Sequence, residues 1–332
     1  MQKIWRILSI DGGGIRGIIP ATILASIEER TGKPISQLFD LIAGTSTGGI
    51  LTLGLTMPNS SGEPEFTAHQ LCKLYERDIP HIFRHPQSWW GNLLRPKYRS
   101  SAFKQILQKS FGDCHLKDAL TDVLITCYDI EHRLPYIFKS RSAKLQSDFD
   151  FRIRDVALAA SASPTMFYPV RLPRSSRHRP VYLVDGGVFA NNPSISALSE
   201  MQSILSYENK KYFIVSIGTG KSERPLTHEF INLWGYVHWS RPMLELVTDS
   251  ISESVHEQMK YLLPSADDHQ YYRLQVDLPE SVNPAIDDAS KKNMQALSGA
   301  AKDFCSDDSK GGQELSRLCK ALISLNTTPA LH

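Results

Sequence analysis

Leu38-Phe-Asp-Leu-Ile-Ala-Gly44-Thr-Ser46-Thr-Gly48-Gly-Ile-Leu-Thr-Leu-Gly-Leu55 decides how the rest of this chain is read. Its first half, Leu38 to Ala43, is a short apolar run of strand character that stops at Gly44. Its second half, Thr47 to Leu55, reads as an apolar helix. Between them lies G-x-S-x-G, in the strand–turn–helix setting where that pattern puts a serine on a sharp elbow. The hydroxyl then projects from the sheet edge above a helix N-terminus. Such a turn crowds the residues two before and two after the serine, which is the physical reason for Gly44 and Gly48. A glycine- and serine-rich turn without chemistry is the plain alternative; the setting favours a nucleophile.

The same alternation of element types extends outward. Ile4 to Ile10 reads as a buried strand that ends at Asp11 and three glycines, and Ile18 to Arg30 as a helix with Pro20 in its first turn and Gly32 just past its end. Thr67 to Phe83 and Ser100 to Phe111 read as helices, Val123 to Tyr128 as a strand and Ile153 to Ser161 as a small-residue helix. Val181 to Val184 is a strand ending at Asp185, Asn192 caps a helix that starts at Pro193, and Tyr212 to Ile217 is a strand ending at Gly218-Thr-Gly220. In the last third, Pro242 to Leu263 reads as one long helix, Tyr271 to Leu278 as a late strand, and Ala285 to Phe304 and Gln313 to Leu325 as helices. Strands alternating with helices predict an α/β fold around a mostly parallel sheet. No repeat or convincing linker divides the chain, so the expectation is a single domain over residues 1–332, with a core over about 7–220 and a helical C-terminal extension over about 221–332.

Composition narrows the class. With 37 Lys+Arg against 35 Asp+Glu, a net charge of +2, 41% hydrophobic and 22% charged residues, the chain is neither disordered nor fibrous, and it lacks the basic excess of a nucleic-acid binder. Cys72, Cys114, Cys127, Cys305 and Cys319 are odd in number, scattered and without a C-x-x-C pair, which predicts reduced thiols and neither zinc site nor disulfide framework. Met1-Gln-Lys-Ile-Trp-Arg lacks the apolar stretch of a signal peptide, and no run approaches the ~20 apolar residues of a membrane span. A cytoplasmic protein, with contact at a membrane surface left open, is the expectation.

Two further turns carry glycine. Asp11-Gly12-Gly13-Gly14-Ile15-Arg16-Gly17 matches G-x-G-x-x-G between a strand and a helix. Its N–H groups suit a pyrophosphate or, equally, the oxyanion of an acyl-transfer intermediate. A dinucleotide site would want an acid closing the second strand, about 20 residues on. Here that strand closes on Gly44-Thr45-Ser46, and Asp40 lies near its start, a poor fit. The second turn is Asp185-Gly186-Gly187. Ligands of parallel sheets gather at the carboxyl ends of strands. The glycine loop, Ser46, Asp185 and Gly218-Thr-Gly220 all sit at such ends, which points to one shared site. A serine nucleophile needs a base. Of 11 histidines, His228, His238, His256 and His269 fall in the region where a hydrolase histidine would lie, and no local pattern singles one out. Asp185 is the better candidate: a carboxylate with an ordinary pKa of ~3.9 gains basicity when partly buried. Three readings stay open here: a Ser46–Asp185 dyad, an α/β-hydrolase-type esterase with an unassigned histidine, and a non-catalytic nucleotide- or lipid-binding module.

At these three motifs the chain resembles the patatin-like phospholipase family of lipid acyl hydrolases: Gly12-Gly-Gly-Ile-Arg-Gly17, Gly44-Thr-Ser-Thr-Gly48 and Asp185-Gly-Gly187 stand in the family's order. Ala160-Ser-Ala-Ser-Pro-Thr-Met-Phe167 and Asn191-Asn192-Pro193 look like the family too, and the resemblance runs well from about Ile7 to Leu198 and loosely beyond, through Tyr271–Leu274. It implies a three-layer patatin-like fold, Ser46 as nucleophile, Asp185 as general base, and the N–H groups of Gly13 and Gly14 as the oxyanion hole. Gly12 and Gly17 would allow the turn, Arg16 would hold the loop's basic position, and Gly186 and Gly187 would complete the third motif. The implied reaction is hydrolysis of an acyl ester in phospholipid or other membrane or storage lipid through an acyl-serine, with no metal or other cofactor. Around these motifs, Trp89, Trp90, Leu93 and Leu94 among Arg84, Arg95 and Lys97 read equally as a lipid-facing rim or a packed loop. Arg171, Arg174, Arg177 and Arg179 read as a solvated loop, and Trp234-Gly-Tyr-Val-His-Trp239 as packing.

Overall fold

In the computed structural model, which describes residues 3–84, 86, 95–174, 179–204, 211–222, 242–263 and 270–327, eight strands form one sheet: β1 (Ile4–Ile10), β2 (Leu41–Thr45), β3 (Asp122–Asp129), β4 (Leu134–Lys139), β5 (Val170–Leu172), β6 (Val181–Asp185), β7 (Lys211–Ile217) and β8 (Gln270–Leu274). Their order is β5-β6-β3-β2-β1-β7-β8, with β4 paired to β3 off that path. The pairs β1–β2, β1–β7, β2–β3 and β7–β8 are parallel, whereas β3–β4, β3–β6 and β5–β6 are antiparallel. The sheet is therefore mixed, with its parallel centre at β3-β2-β1-β7-β8.

The helices are α1 (Ile18–Thr31), α2 (Ile35–Leu38), α3 (Thr47–Thr56), α4 (Ala68–Arg77), α5 (Ser100–Phe111), α6 (Ser140–Leu145), α7 (Ile153–Ala160), α8 (Gly187–Ala190), α9 (Ser194–Ile204), α10 (Pro242–Leu262), α11 (Lys291–Cys305) and α12 (Lys310–Thr327). Strand alternation assigns side chains to two cores. Leu8, Ile10 and Ile42 face the larger one with α1, α3, α4, α5, α7, α11 and α12. Ile7, Leu41, Ala43, Leu124 and Ile214 face the other, closed by Ala197, Leu198 and Met201 of α9 and Met259 of α10. Helices on both faces of a central sheet make three layers. The late strand β8 completes the sheet edge beside β7, so the last third of the chain is part of the same sheet.

Several sequence expectations shift. The helix expected over Thr67–Phe83 ends at Arg77 and resumes as a 3-10 turn over Ile79–Phe83. Pro80 lacks the N–H that a continuing helix needs. The late strand stops at Leu274 rather than Leu278, and the helix expected from Ala285 begins at Lys291 behind the Ser290 N-cap, whose side chain accepts from Asn293 N at 3.3 Å. Strands β4 and β5 are additions. Arg171 lies in β5, opposite Tyr182, and not in a loop. At the helix after the third motif, Asn192 Oδ1 accepts from Ser194 N at 3.1 Å, one residue on from the expected start.

Candidate active site

The elbow after β2 is strained in the way its sequence requires. Ser46 sits at φ 53°, ψ −121°, on the side of the map that L-residues avoid, at a cost of about 1–3 kcal/mol. Packing holds it there. A Cβ at Gly48 would lie 2.2 Å from Ile10 O and one at Gly44 2.4 Å from Gly48 O, both backbone atoms, so β1, β2 and α3 meet too closely for any side chain. Thr45 Oγ1 lies 2.7 Å from Thr126 Oγ1 and donates to Ala190 O at 2.6 Å, tying the end of β2 to β3 and α8. On the other flank the buried Tyr75 of α4 hydrogen-bonds the Thr47 hydroxyl and donates to Thr47 O at 3.2 Å.

Asp185 reaches Ser46 by a route the sequence argument did not foresee. The expectation put it at the carboxyl edge of a parallel strand, but β6 runs antiparallel to β3. It enters beside Asp129 and stops with Asp185 opposite Cys127, one residue beyond the Thr126 that faces Thr45. The carboxylate is therefore level with the elbow although its strand points the other way. Asp185 accepts from Gly187 N at 2.8 Å, its own N–H donates to Ala162 O at 3.1 Å, and its side chain lines the same cavity as Ser46. Burial pushes the carboxyl up from 3.8 to about 6, against the opposing influence of the neighbouring Ser46 side chain and the Gly187 N–H. Gly186 follows directly, where an added Cβ would clash with Thr126.

The glycine loop lies against both. Gly12 N donates to Asn191 O at 3.0 Å, Thr219 Oγ1 donates to Gly12 O at 2.9 Å, and Ile15 N donates to Ile286 O at 2.8 Å. Among the described residues no partner takes the N–H of Gly13 or Gly14, and both residues line a cavity together with Ser46 and Asp185. Gly17 closes the 3-10 turn that leads into α1. Arg16 also lines the cavity; its side chain is 6% exposed, its Nε has no hydrogen-bond partner, and its Nη2 is 4.0 Å from Asp249 of α10. Away from the polar end the walls are apolar: Ile50, Ile79, Ile82, Phe103, Phe167 and Leu244. Phe83, Tyr98, Phe103 and Phe167 pack ring to ring there, with centroids 5.2–6.3 Å apart.

Among the described residues, the histidines stand apart from this arrangement. His256 is on α10 with Nδ1 3.2 Å from Tyr271 Oη, and burial above all lowers its pKa; His228, His238 and His269 lie outside the described residues. Among the described residues no histidine lines the cavity, and no group of three or more His, Cys, Asp or Glu could hold a metal ion.

The patatin-like phospholipase family profile matches residues 8–198. This chain belongs to that family. Its relatives include patatin-like protein 2 of Oryza sativa subsp. indica, 34% identical over 89% of this chain and 82% of the relative. Patatin-like protein 4 of Arabidopsis thaliana is 31% identical over 88% of this chain and 80% of its own. Patatin-08 of Solanum tuberosum is 31% identical over 90% and 82%. The chain is thus a patatin-like phospholipase family member, of the class of lipid acyl hydrolases acting on ester bonds. No helix among the described residues of this family member is long and apolar enough to cross a membrane.

The sequence did not single out Tyr75 or Thr126 as parts of this frame, nor Arg273 as a partner of Asp11, since each acts through a contact made across the fold. Of the basic flank near Trp89, Lys97 is paired with Asp287, which also accepts from Tyr98 Oη at 2.9 Å. Trp89, Trp90, Leu93 and Leu94, like Arg177 and Trp234–Trp239, lie outside the described residues. Arg174 lies over the Phe149 ring at 5.0 Å.

Proposed function

We propose that this patatin-like family member hydrolyses acyl esters of membrane or storage lipids through an acyl-Ser46 intermediate, with Asp185 as general base. The observation that carries the reading is that Ser46, on its strained elbow, and the buried Asp185 carboxylate line the polar end of one apolar cavity. With its pKa near 6, the carboxylate is largely ionised at neutral pH yet more basic than an exposed aspartate.

Asp185 takes the Ser46 proton as Oγ attacks the ester carbonyl, and the carbonyl oxygen becomes an oxyanion against the N–H groups of Gly13 and Gly14. Gly12 and Gly17 let the loop take its path, and the buried Arg16 adds positive potential beside it. Collapse of the tetrahedral intermediate returns the proton from Asp185 to the leaving alcohol. Water then attacks the acyl-serine with Asp185 again as base, releasing the fatty acid and restoring the Ser46 hydroxyl. Ile50, Ile82, Phe103 and Phe167 give the acyl chain an apolar wall. Substrate comes from a lipid surface by transient contact, and core and C-terminal extension work as one unit.

A fluorophosphonate probe tests this against an esterase with an unassigned histidine. Labelling of the wild type that is lost in Ser46→Ala and Asp185→Asn, and kept in His228→Ala, His238→Ala, His256→Ala and His269→Ala, supports the dyad. Loss of labelling in one histidine variant, with labelling kept in Asp185→Asn, overturns it.

A further inference from the structure

Arg273 lies in none of the three motifs, yet it reaches the glycine loop from two strands away. Its register partner on β7 is Ser216, and that of Ser216 on β1 is Ser9, two residues before Asp11. Neighbouring strands are ~4.8 Å apart, so a side chain from β8 must span ~10 Å to reach the end of β1. Arg273 does so, with Nη1 3.0 Å from Asp11 Oδ1, Nη2 2.6 Å from Asp11 Oδ2, and Nη1 2.8 Å from Ser216 Oγ on the way. The fold leaves it room: a Cβ at Gly218 would lie 2.9 Å from Arg273 Nη2. The side chains are 9% and 3% exposed.

A buried ion pair is a poor device for stability alone, because desolvation of the two charges consumes most of their attraction. Position gives this one a different use. Asp11 immediately precedes Gly12, Gly13 and Gly14, and its backbone N–H is fixed on Ile217 O at 3.0 Å. Its carboxylate, which burial pushes up and Arg273 chiefly, with Arg16, pulls back down, sits at the root of the loop whose N–H groups must receive an oxyanion. Unopposed in a low-dielectric setting, a negative charge there would resist formation of the oxyanion.

Resting on the acyl-transfer reading above, we propose that Arg273 is a positioning residue for that reaction: its bidentate clamp on Asp11 fixes the glycine loop and cancels the Asp11 charge where the oxyanion forms. Both tasks need Arg rather than Lys, since a planar fork engages two carboxylate oxygens at once.

The experiment measures kcat and KM on a soluble acyl ester, together with the thermal midpoint, for wild type, Arg273→Gln, Arg273→Lys, Asp11→Asn and Asp11→Asn/Arg273→Gln. The expected result is a kcat lower by about 100-fold in Arg273→Gln with KM within about twofold, the scale of a disabled oxyanion hole. Arg273→Lys falls between that variant and wild type. The double variant regains at least about tenfold over Arg273→Gln, because the unopposed carboxylate is gone. Losses that follow the thermal midpoint, with the double variant no better than Arg273→Gln, overturn the proposal in favour of a structural pair. So does an unchanged kcat in folded Arg273→Gln. Should Arg273→Gln not fold, Arg273→Lys against Asp11→Asn decides by the same split of kcat from KM. Fluorophosphonate labelling of wild-type Ser46 separates the two levels: present with unchanged variants, only the Arg273 role falls; absent, the Ser46 reading falls and takes the Arg273 role with it.

Discussion

Replacing Asp185 by asparagine should stabilise the protein while disabling it. Asp185 is 5% exposed, and burial holds its carboxyl at about 6 rather than 3.8. Below pH ~4 it is protonated both folded and unfolded and costs nothing. As pH rises from 3.8 towards 6 the unfolded chain releases this proton while the folded chain keeps it, so stability falls. Above about 6 both states are ionised and the whole cost is present. At about 1.4 kcal/mol for each tenfold change in the ionisation equilibrium, that cost is about 3 kcal/mol at neutral pH. Asparagine has the same shape, keeps an oxygen for Gly187 N–H and carries no charge. Asp185→Asn should therefore gain about 3 kcal/mol at pH 7.5, about 4 °C in the thermal midpoint of a chain this size, and the gain should vanish towards pH 4. Its kcat should fall by at least about 1000-fold, and the wild type's kcat/KM should rise with pH through about 6 with a single proton. Urea midpoints of both proteins between pH 4 and 8 make the measurement, and the slope with pH is the decisive quantity. A variant no more stable than wild type at pH 7.5, or a gain that stays constant with pH, would refute a buried, ionised Asp185.

Other predictions bear on the frame around it. Gly48→Ala, whose Cβ would lie 2.2 Å from Ile10 O, should destabilise by more than about 3 kcal/mol or fail to fold, whereas Gly299→Ala in α11, with nothing within 4 Å, should gain about 0.5–1 kcal/mol in the same unfolding assay. Tyr75→Phe leaves the buried Thr47 hydroxyl without its partner and should cost about 1–2 kcal/mol, together with a fall in kcat that circular dichroism does not mirror. The thiols of Cys72, Cys114, Cys305 and Cys319 are pushed up to about 11 and that of Cys127 is raised well above its ordinary value, mainly by burial, so a maleimide or disulfide reagent at pH 7 should modify them only after denaturation.

What was legible in the sequence is local and steric. The G-x-S-x-G elbow could be read because only glycine fits two residues either side of Ser46, and the strand and helix that flank it are continuous in sequence. Asp185 was chosen on a rule about parallel strands that its own strand does not obey, since β6 turns back along β3 and reaches the elbow from the opposite direction. β4 carries Pro135 and an exposed Leu134, so it lacks the buried run by which central strands announce themselves, and β5 is only three residues long. The stretch before Lys291 offered turn signals in Asn283-Pro284 and Asp287-Asp288, and there Ile286 O receives Ile15 N of the glycine loop. Arg273 stood in the loosely matching Tyr271–Leu274 strand, but nothing in the sequence indicated its partner: that it would cross β7 to Asp11 follows from strand order and register, which pairing across the sheet decides.

The central claim is a covalent one, and rapid acid quench followed by peptide mass spectrometry tests it most directly. Mixing the wild type with an activated acyl ester should leave an acyl group on the peptide containing Ser46 within the first turnover, at near one equivalent, and none in Ser46→Ala. An acyl group on another residue, or turnover by Ser46→Ala at the wild-type rate, would contradict the account.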